Sequence, residues 1–456
     1  MTNRKHRREF LGGLMATTGL LSLSGMPWES RVAYAMDNNQ TEYKDRYFVF
    51  LFMDGGWDIL LSLDPRDPTT FTKSKEALTL IDPGYQFQAY PAGQSPLIDT
   101  AMGPLGFHMG EALNHTDKIA IVRGLSMETL GHISATQRLI TGKAPVGTRY
   151  RGSSFDVWAA SLLGQGNPIP NVAMRHASVN LDQPGFASPL RVHDAAALSD
   201  ALARTSPYTD VEEDALAQFL KDQQSCKSAA QSPLKIKAAS SSMSIASLMK
   251  LNLADSFNFW LNTPEINALK SFYQDNGQFN YAMRGAATAS QALKKGLSRV
   301  VTARVATGSL DTHGDMDTNG PIQMAGFNAF ARLIEDLSTS QYKDTDETWL
   351  DRTTVMLSSE FSRTPLVNQL GGRDHWLMNA VVMAGGDIKG GTVIGASSDV
   401  GMMPVPVDLK TGQVDMENGE VLKPEHIYAT FMKGMGVSGD PADFRVDAID
   451  ALLKSS

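Results

Sequence analysis

An α/β protein built on a mostly parallel central sheet is predicted by three features of this 456-residue chain. Short apolar runs lack the strict alternation of a half-solvated sheet, helical patterns lie between them, and polar, glycine-rich segments sit where the runs end. The composition agrees, since 42% hydrophobic and 20% charged residues describe an ordinary globular chain rather than a disordered one. A single cysteine, Cys226, excludes an intramolecular disulfide framework and any multi-cysteine zinc or iron–sulfur site. The formal net charge of −8 argues against a nucleic-acid partner, which usually demands a basic face.

In chain order, residues 1–35 read as an address. Basic Arg4 to Arg8, the apolar stretch Leu11 to Gly25 and the small-x-small Ala33-Tyr34-Ala35 follow the order of a signal peptide. Arg7-Arg8 followed by Glu-Phe-Leu resembles a twin-arginine export signal. The expectation is a periplasmic or secreted protein handled by the twin-arginine machinery. No later stretch approaches the ~20 apolar residues of a membrane span, so none is expected in the mature form. An export route for already folded proteins suits a chain without disulfides.

Five runs are read as strands: Tyr47 to Met53, Lys118 to Arg123, Val300 to Ala306, Thr353 to Ser358 and Asn379 to Ala384. Ile322, Phe330, Ile334 and Leu337 share a helical face after the turn-like start signal Asn319-Gly320-Pro321. From about 209 to 297 the texture changes to a helical insertion. It opens on a capping-box pattern, Asp210 to Glu213, and contains a polar Ser225–Ser242 loop and helical sequence at Ile245–Leu251 and beyond Pro264.

Polar residues collect where the runs end. Asp54-Gly55-Gly56-Trp57-Asp58 follows the first run, Gly308 to Asp315 the third, and Ser358 to Thr364 ends the fourth; Gly371 to Trp376 leads into the fifth. Ligands of open α/β sheets bind beyond the carboxyl ends of the strands, so these segments are expected to converge. Asp54 or Asp58, Asp311, His313, Glu360 and His375 form a carboxylate–imidazole set suited to Zn²⁺ or Mn²⁺, and large enough for two ions. Asp311 and His313, two apart on an extended segment, point the same way. A helix beginning near His132 would turn its amides toward an anion. Ser126, Thr129, Ser134 and Thr136 offer hydroxyls, none with a base beside it in sequence, and read as caps or surface groups. Trp57 and Trp376 read equally well as pocket wall or as packing.

Six segments together resemble a known family: Gly55-Gly56-x-Asp58, Gly131-His132 through Thr141-Gly142, Asp311-Thr-His313, Ser359-Glu-Phe-Ser-Arg-Thr364, Asn368, and Asp374-His375. In order and approximate spacing, from Tyr47 to about Gly395, they resemble the exported bacterial family called domain of unknown function 1501. That family is grouped with the alkaline phosphatase and sulfatase superfamily. The resemblance therefore implies an alkaline phosphatase-like sandwich and a two-metal hydrolase site with Asp54 or Asp58, Asp311, His313, Glu360 and His375 as ligands. Leu139-Ile-Thr-Gly-Lys143 is also similar to the Leu-Leu-Thr-Gly-Arg stretch of sulfatases. Two departures stand out. His132 occupies the place of the sulfatase Cys or Ser nucleophile, and Glu360-Phe361 replaces the Asp-His of phosphatases.

The function expected on this reading is an exported hydrolase of small anionic phosphate or sulfate esters, dependent on a divalent metal such as Zn, Mn or Ca. His132 would be a proton donor or ligand, and Arg363 a bidentate clamp on the anion. The alternative is a non-catalytic exported protein, for surface assembly or metal binding, that keeps the hydrolase fold.

Overall fold

The computed structural model describes residues 45–164, 166–203 and 253–454, with residues 211, 212, 215 and 218. The expected leader and the stretch 219–252, with its predicted loop and helical segment, lie outside the described residues, as do Asp210 and Glu213 of the capping-box pattern.

Eight strands form the central sheet: β1 (Tyr47–Phe52), β2 (Ile119–Ser126), β3 (Asn171–Met174), β4 (Leu190–Val192), β5 (Val300–Arg304), β6 (Thr353–Ser358), β7 (Met378–Ala384) and β8 (Thr392–Ile394). Their spatial order is β8-β2-β7-β6-β1-β5-β3-β4. The mostly parallel sheet read from the sequence is present, and all five predicted runs are strands in it. Short β3, β4 and β8 escaped notice because three or four residues carry too little periodicity to register.

The central strand β1 explains the lack of alternation. Val49 and Leu51 join one apolar cluster, Phe48, Phe50 and Phe52 the other, so successive residues enter cores on opposite faces. Burying each such side chain is worth roughly 1.5–3 kcal/mol. Helices cover both faces. Ala135, Leu139 and Ile140 of α1 (His132–Thr141) share the phenylalanine face with α2 (Phe155–Leu163) and α5 (Pro424–Gly434). On the other face lie α3 (Tyr281–Lys294) and α4 (Asn319–Thr339). Helix α4 begins at Asn319, so the expected start signal forms its first turn. Helix α3 was placed by sequence within the insertion, but its Ala282, Ala286 and Ala289 are buried in the same cluster as Val301 and Ala303 of β5. It is a layer helix of the main domain. Among the described residues, no helix is long and apolar enough to cross a membrane.

One strand departs from the parallel reading. β7 runs antiparallel to both neighbours, β2 and β6, whereas the other described pairings in this sheet are parallel. Its first residue therefore lies at the edge where the parallel strands have their carboxyl ends. The segment feeding it, Asp374-His375, arrives beside the segments that leave β1, β5 and β6. His375–Trp376 then pairs antiparallel with Ser362–Arg363, placing His375 opposite Arg363.

Candidate metal centre

The carboxyl edge is crowded, and glycines make the crowding possible. Gly55 has φ +107, and a Cβ on it would meet the Asp311 backbone nitrogen at 2.5 Å. A Cβ on Gly372 would lie 2.3 Å from the carbonyl carbon of His313. Both positions exclude larger residues because loops from different strands touch there. Asn319, at the start of α4, fastens the loop after β5: its side-chain amide donates to the Leu310 carbonyl at 3.0 Å and to Thr312 Oγ1 at 2.9 Å.

Asp311 stands at the middle of the site. Its Oδ1 lies 3.1 Å from His313 Nε2 and 3.4 Å from His375 Nε2, and its Oδ2 lies 3.3 Å from His132 Nε2. The two imidazole nitrogens of His313 and His375 are 3.0 Å apart. Each ring is held from behind through Nδ1. His132 Nδ1 is 2.7 Å from Glu360 Oε1, His313 Nδ1 is 2.7 Å from Asp374 Oδ1, and His375 Nδ1 donates to the Leu130 carbonyl at 2.6 Å. These partners are acceptors, which fixes the proton on Nδ1 of the neutral ring and leaves Nε2 as a lone pair. Three lone pairs thus converge on one carboxylate. His132 Nε2 is buried without a hydrogen-bond partner.

Such a cluster is relieved by a positive charge placed within it, whether a proton on one Nε2 or a metal ion. A tetrahedral ion with bonds of roughly 2.0–2.1 Å sets its ligand atoms about 3.3 Å apart, the spacing seen here. Anchoring of the far ring nitrogen by a carboxylate or carbonyl is the usual support of a metal-bound histidine. The residues fit a divalent ion, with His132, Asp311 and His375 as the convergent donors, His313 beside Asp311 and His375, and Glu360, Asp374 and the Leu130 carbonyl as orienting partners.

Local electrostatics follow from these contacts. The Glu360 hydrogen bond raises His132 above the ordinary imidazole range, outweighing its partial burial. Burial lowers His375. Burial works to raise Asp311, but the hydrogen bond and charge of Arg363 prevail and hold it at about 2, so it stays an anion.

Several expected roles change. Glu360 is not turned to the cluster as a ligand; both its oxygens accept from Gly55 N–H, at 2.9 and 3.1 Å, and one faces His132. Asp58 is buried, caps Leu60 N–H at 3.1 Å and sits 2.8 Å from Arg373 Nε, an ion-pair contact without hydrogen-bond alignment. Asp54 pairs with Arg304. Arg363 is no anion clamp: its side chain is fully buried and donates to the carbonyls of Gly56 (2.9 Å), Arg373 (3.1 Å) and Gly55, and to Asp311 at 2.7 Å. Among the described residues one cluster of potential ligands forms, around His132, Asp311 and His375, rather than the two-ion set implied by the resemblance. Trp57 is packing, stacked on Phe327 and bonded to Asn379 at 2.7 Å.

Asp374 was missed as His313's partner because in sequence it adjoins His375; the extended backbone turns neighbouring side chains to opposite sides. Asn368, which appeared in the sequence only as part of a motif, donates to the His313 carbonyl at 2.8 Å. Glu360→Gln is expected to keep the fold while weakening Zn²⁺ binding by about 10–100-fold, the usual cost of losing an orienting partner. Competition against a chelating dye reads this directly, and unchanged affinity would remove Glu360 from the centre's support.

Fold and site together define an α/β protein with a histidine–aspartate centre at the carboxyl edge of its sheet. The chain belongs to the family described as Protein of unknown function (DUF1501), whose model matches residues 45–419. No curated protein sequence matches it. Among solved structures it is similar to the alkaline phosphatase from the Antarctic bacterium TAB5, at 12% identity and TM-score 0.31, covering 87% of this chain and 100% of that one. It is also similar to the sulfatase candidate yidJ from Bacteroides fragilis, at 10% identity and TM-score 0.33, covering 91% and 79%. At these values neither the ligands nor the chemistry of those proteins transfers to this chain.

Proposed function

We propose that this protein is a metal-dependent hydrolase of phosphate or sulfate esters. The observation that carries the reading is the set of three imidazoles anchored through Nδ1, with their Nε2 atoms gathered on Asp311. A bound divalent ion supplies Lewis acidity toward an ester oxygen and lowers the pKa of water. Around it the chain's own residues have distinct tasks. Asp311, His132 and His375 would hold the ion, with His313 as the adjoining donor, and Arg363 fixes the Asp311 carboxylate. The first-turn amides of α1 at His132, Ile133 and Ser134 lack intrahelical acceptors and face a substrate anion. The hydroxyls flanking the start of α1 are engaged with each other and with backbone. Thr129 and Ser134 pair with each other at 2.6 Å, and Ser134 donates to the Gly131 carbonyl.

The test combines elemental analysis of protein incubated with Zn²⁺, Mn²⁺ or Ca²⁺ with turnover on aryl phosphate and aryl sulfate esters. Expected are bound metal, metal-dependent turnover that survives Ser126→Ala and Ser134→Ala, and loss of both metal and turnover in His132→Ala. Protein that stays metal-free after incubation overturns the reading. A second reading, metal binding without turnover, is favoured by Arg363, whose guanidinium is buried and committed to backbone carbonyls and Asp311 rather than turned to a substrate's charge. Metal-loaded protein inert toward both ester classes would establish it.

We also propose export through the twin-arginine pathway, on the Arg7-Arg8 pattern and the small-residue site ending at Ala35. Replacing both arginines by lysine is expected to leave precursor in the cytoplasm. Normal export of that variant on cell fractionation would refute this.

A further inference from the structure

A cavity of about 400 Å³ lies apart from the metal centre and shares no residue with it. It opens beside Met174 at the end of β3 and the first turn of α3, where Tyr281, Arg284 and Gly285 line it. Four aromatic rings also line it, those of Phe257, Phe259, Trp260 and Phe279. Trp260 is 79% exposed, so its ring is open to contact with a ligand.

Its charge is equally distinctive. The Arg284 guanidinium makes no hydrogen bond or ion pair among the described residues, and its Nε is buried without an acceptor. Lys270, also in the lining, donates only to the Leu261 carbonyl at 3.3 Å. The cavity's carboxylate, Asp194, is committed elsewhere: it caps the helix Ala195–Leu202 through Ala197 N–H at 2.9 Å and contacts His193 at 3.2 Å. Next to the cavity Arg175 holds φ +49, a costly conformation for a side chain of that size, with its guanidinium 5.2 Å from the centre of the Tyr281 ring. Cations with no carboxylate partner among the described residues, set beside aromatic rings, are suited to a ligand with a flat apolar body and a negative end.

We propose that this cavity binds a small aromatic anion, an arene bearing a carboxylate, sulfonate or phosphate group. The arene lies against Trp260 and Phe279, and the anionic group takes the donors of Arg284 and Lys270. This site stands independently of the ester-hydrolase reading, because none of its residues touches the metal centre.

The experiment is calorimetric titration of the full chain with 2-naphthoate and 1-naphthalenesulfonate, using neutral 2-naphthalenemethanol as control. Both anions are expected to bind, the alcohol far more weakly. Arg284→Gln removes a charge-assisted contact and should weaken the anions at least about tenfold. Trp260→Ala, at an exposed position that the fold does not need, should weaken them about 2–10-fold. His313→Ala with His375→Ala should leave binding unchanged. Equal binding of the alcohol, unaltered binding in Arg284→Gln, or absence of binding by the unmodified chain would each overturn the proposal. Loss of binding in the histidine double variant would also overturn it, by moving the anion to the metal centre.

Discussion

Asp311→Asn is expected to cost the protein its metal. The carboxylate meets three imidazoles and one guanidinium, so no other single side chain touches as much of the centre. An amide in its place keeps the shape but removes the charge that binds a cation and directs one face of N–H donors at the cluster. The loss of affinity should exceed the roughly 10–100-fold expected for an orienting partner such as Glu360. Combining it with His313→Ala should abolish binding, since a metal seldom stays when half its ligands are gone. Elemental analysis after dialysis and a Zn²⁺ titration would measure both. Retention of stoichiometric metal in the double variant would move the binding site elsewhere in the chain.

The second large effect is on stability. Asp58 and Arg373 are buried together, with side chains 2% and 1% exposed, and Arg373 also donates to the carbonyls of Thr364 at 2.9 Å and Asp82 at 2.6 Å. Removing one partner of such a pair leaves an uncompensated buried charge and costs about 3–5 kcal/mol. Asp58→Ala should therefore lower the denaturant midpoint sharply, while the fraction that remains folded binds metal as the unmodified chain does. That combination separates a structural carboxylate from a ligand. A stable Asp58→Ala protein that no longer binds metal would return Asp58 to the centre.

Why the sequence revealed some of this and not the rest is visible in the same residues. Apolar runs and the polar segments after them are local signals, and they located both the strands and the edge on which Asp311, His313 and His375 meet. The polarity of a strand is not a local signal: nothing in Met378–Ala384 distinguishes a parallel from an antiparallel neighbour, so a mostly parallel sheet is legible and the one reversed strand in it is not. Residue chemistry also outran geometry. Glu360, Asp54 and Asp58 are all plausible oxygen ligands by type, yet each carboxylate is engaged by a partner distant in sequence or by its own turn: Glu360 by Gly55 and His132, Asp54 by Arg304, and Asp58 by Arg373 and Leu60. Only the folded chain shows which carboxylate faces the imidazoles. Arg363 illustrates the same point for a cation, since its competing acceptors are backbone carbonyls that no side-chain motif records.

The reversed strand also sets when the centre can exist. Its donors come from the start of α1, the loop after β5 and the lead-in to β7, and the contact that orients His132 spans 228 residues. No short stretch of chain holds all of them, and His375 sits in the lead-in to a strand placed between β2 and β6. Closing contacts so distant in sequence is slow, and falls late in folding. A metal bound there would be captured only after these elements meet, and would then tie together the layers that supply its ligands.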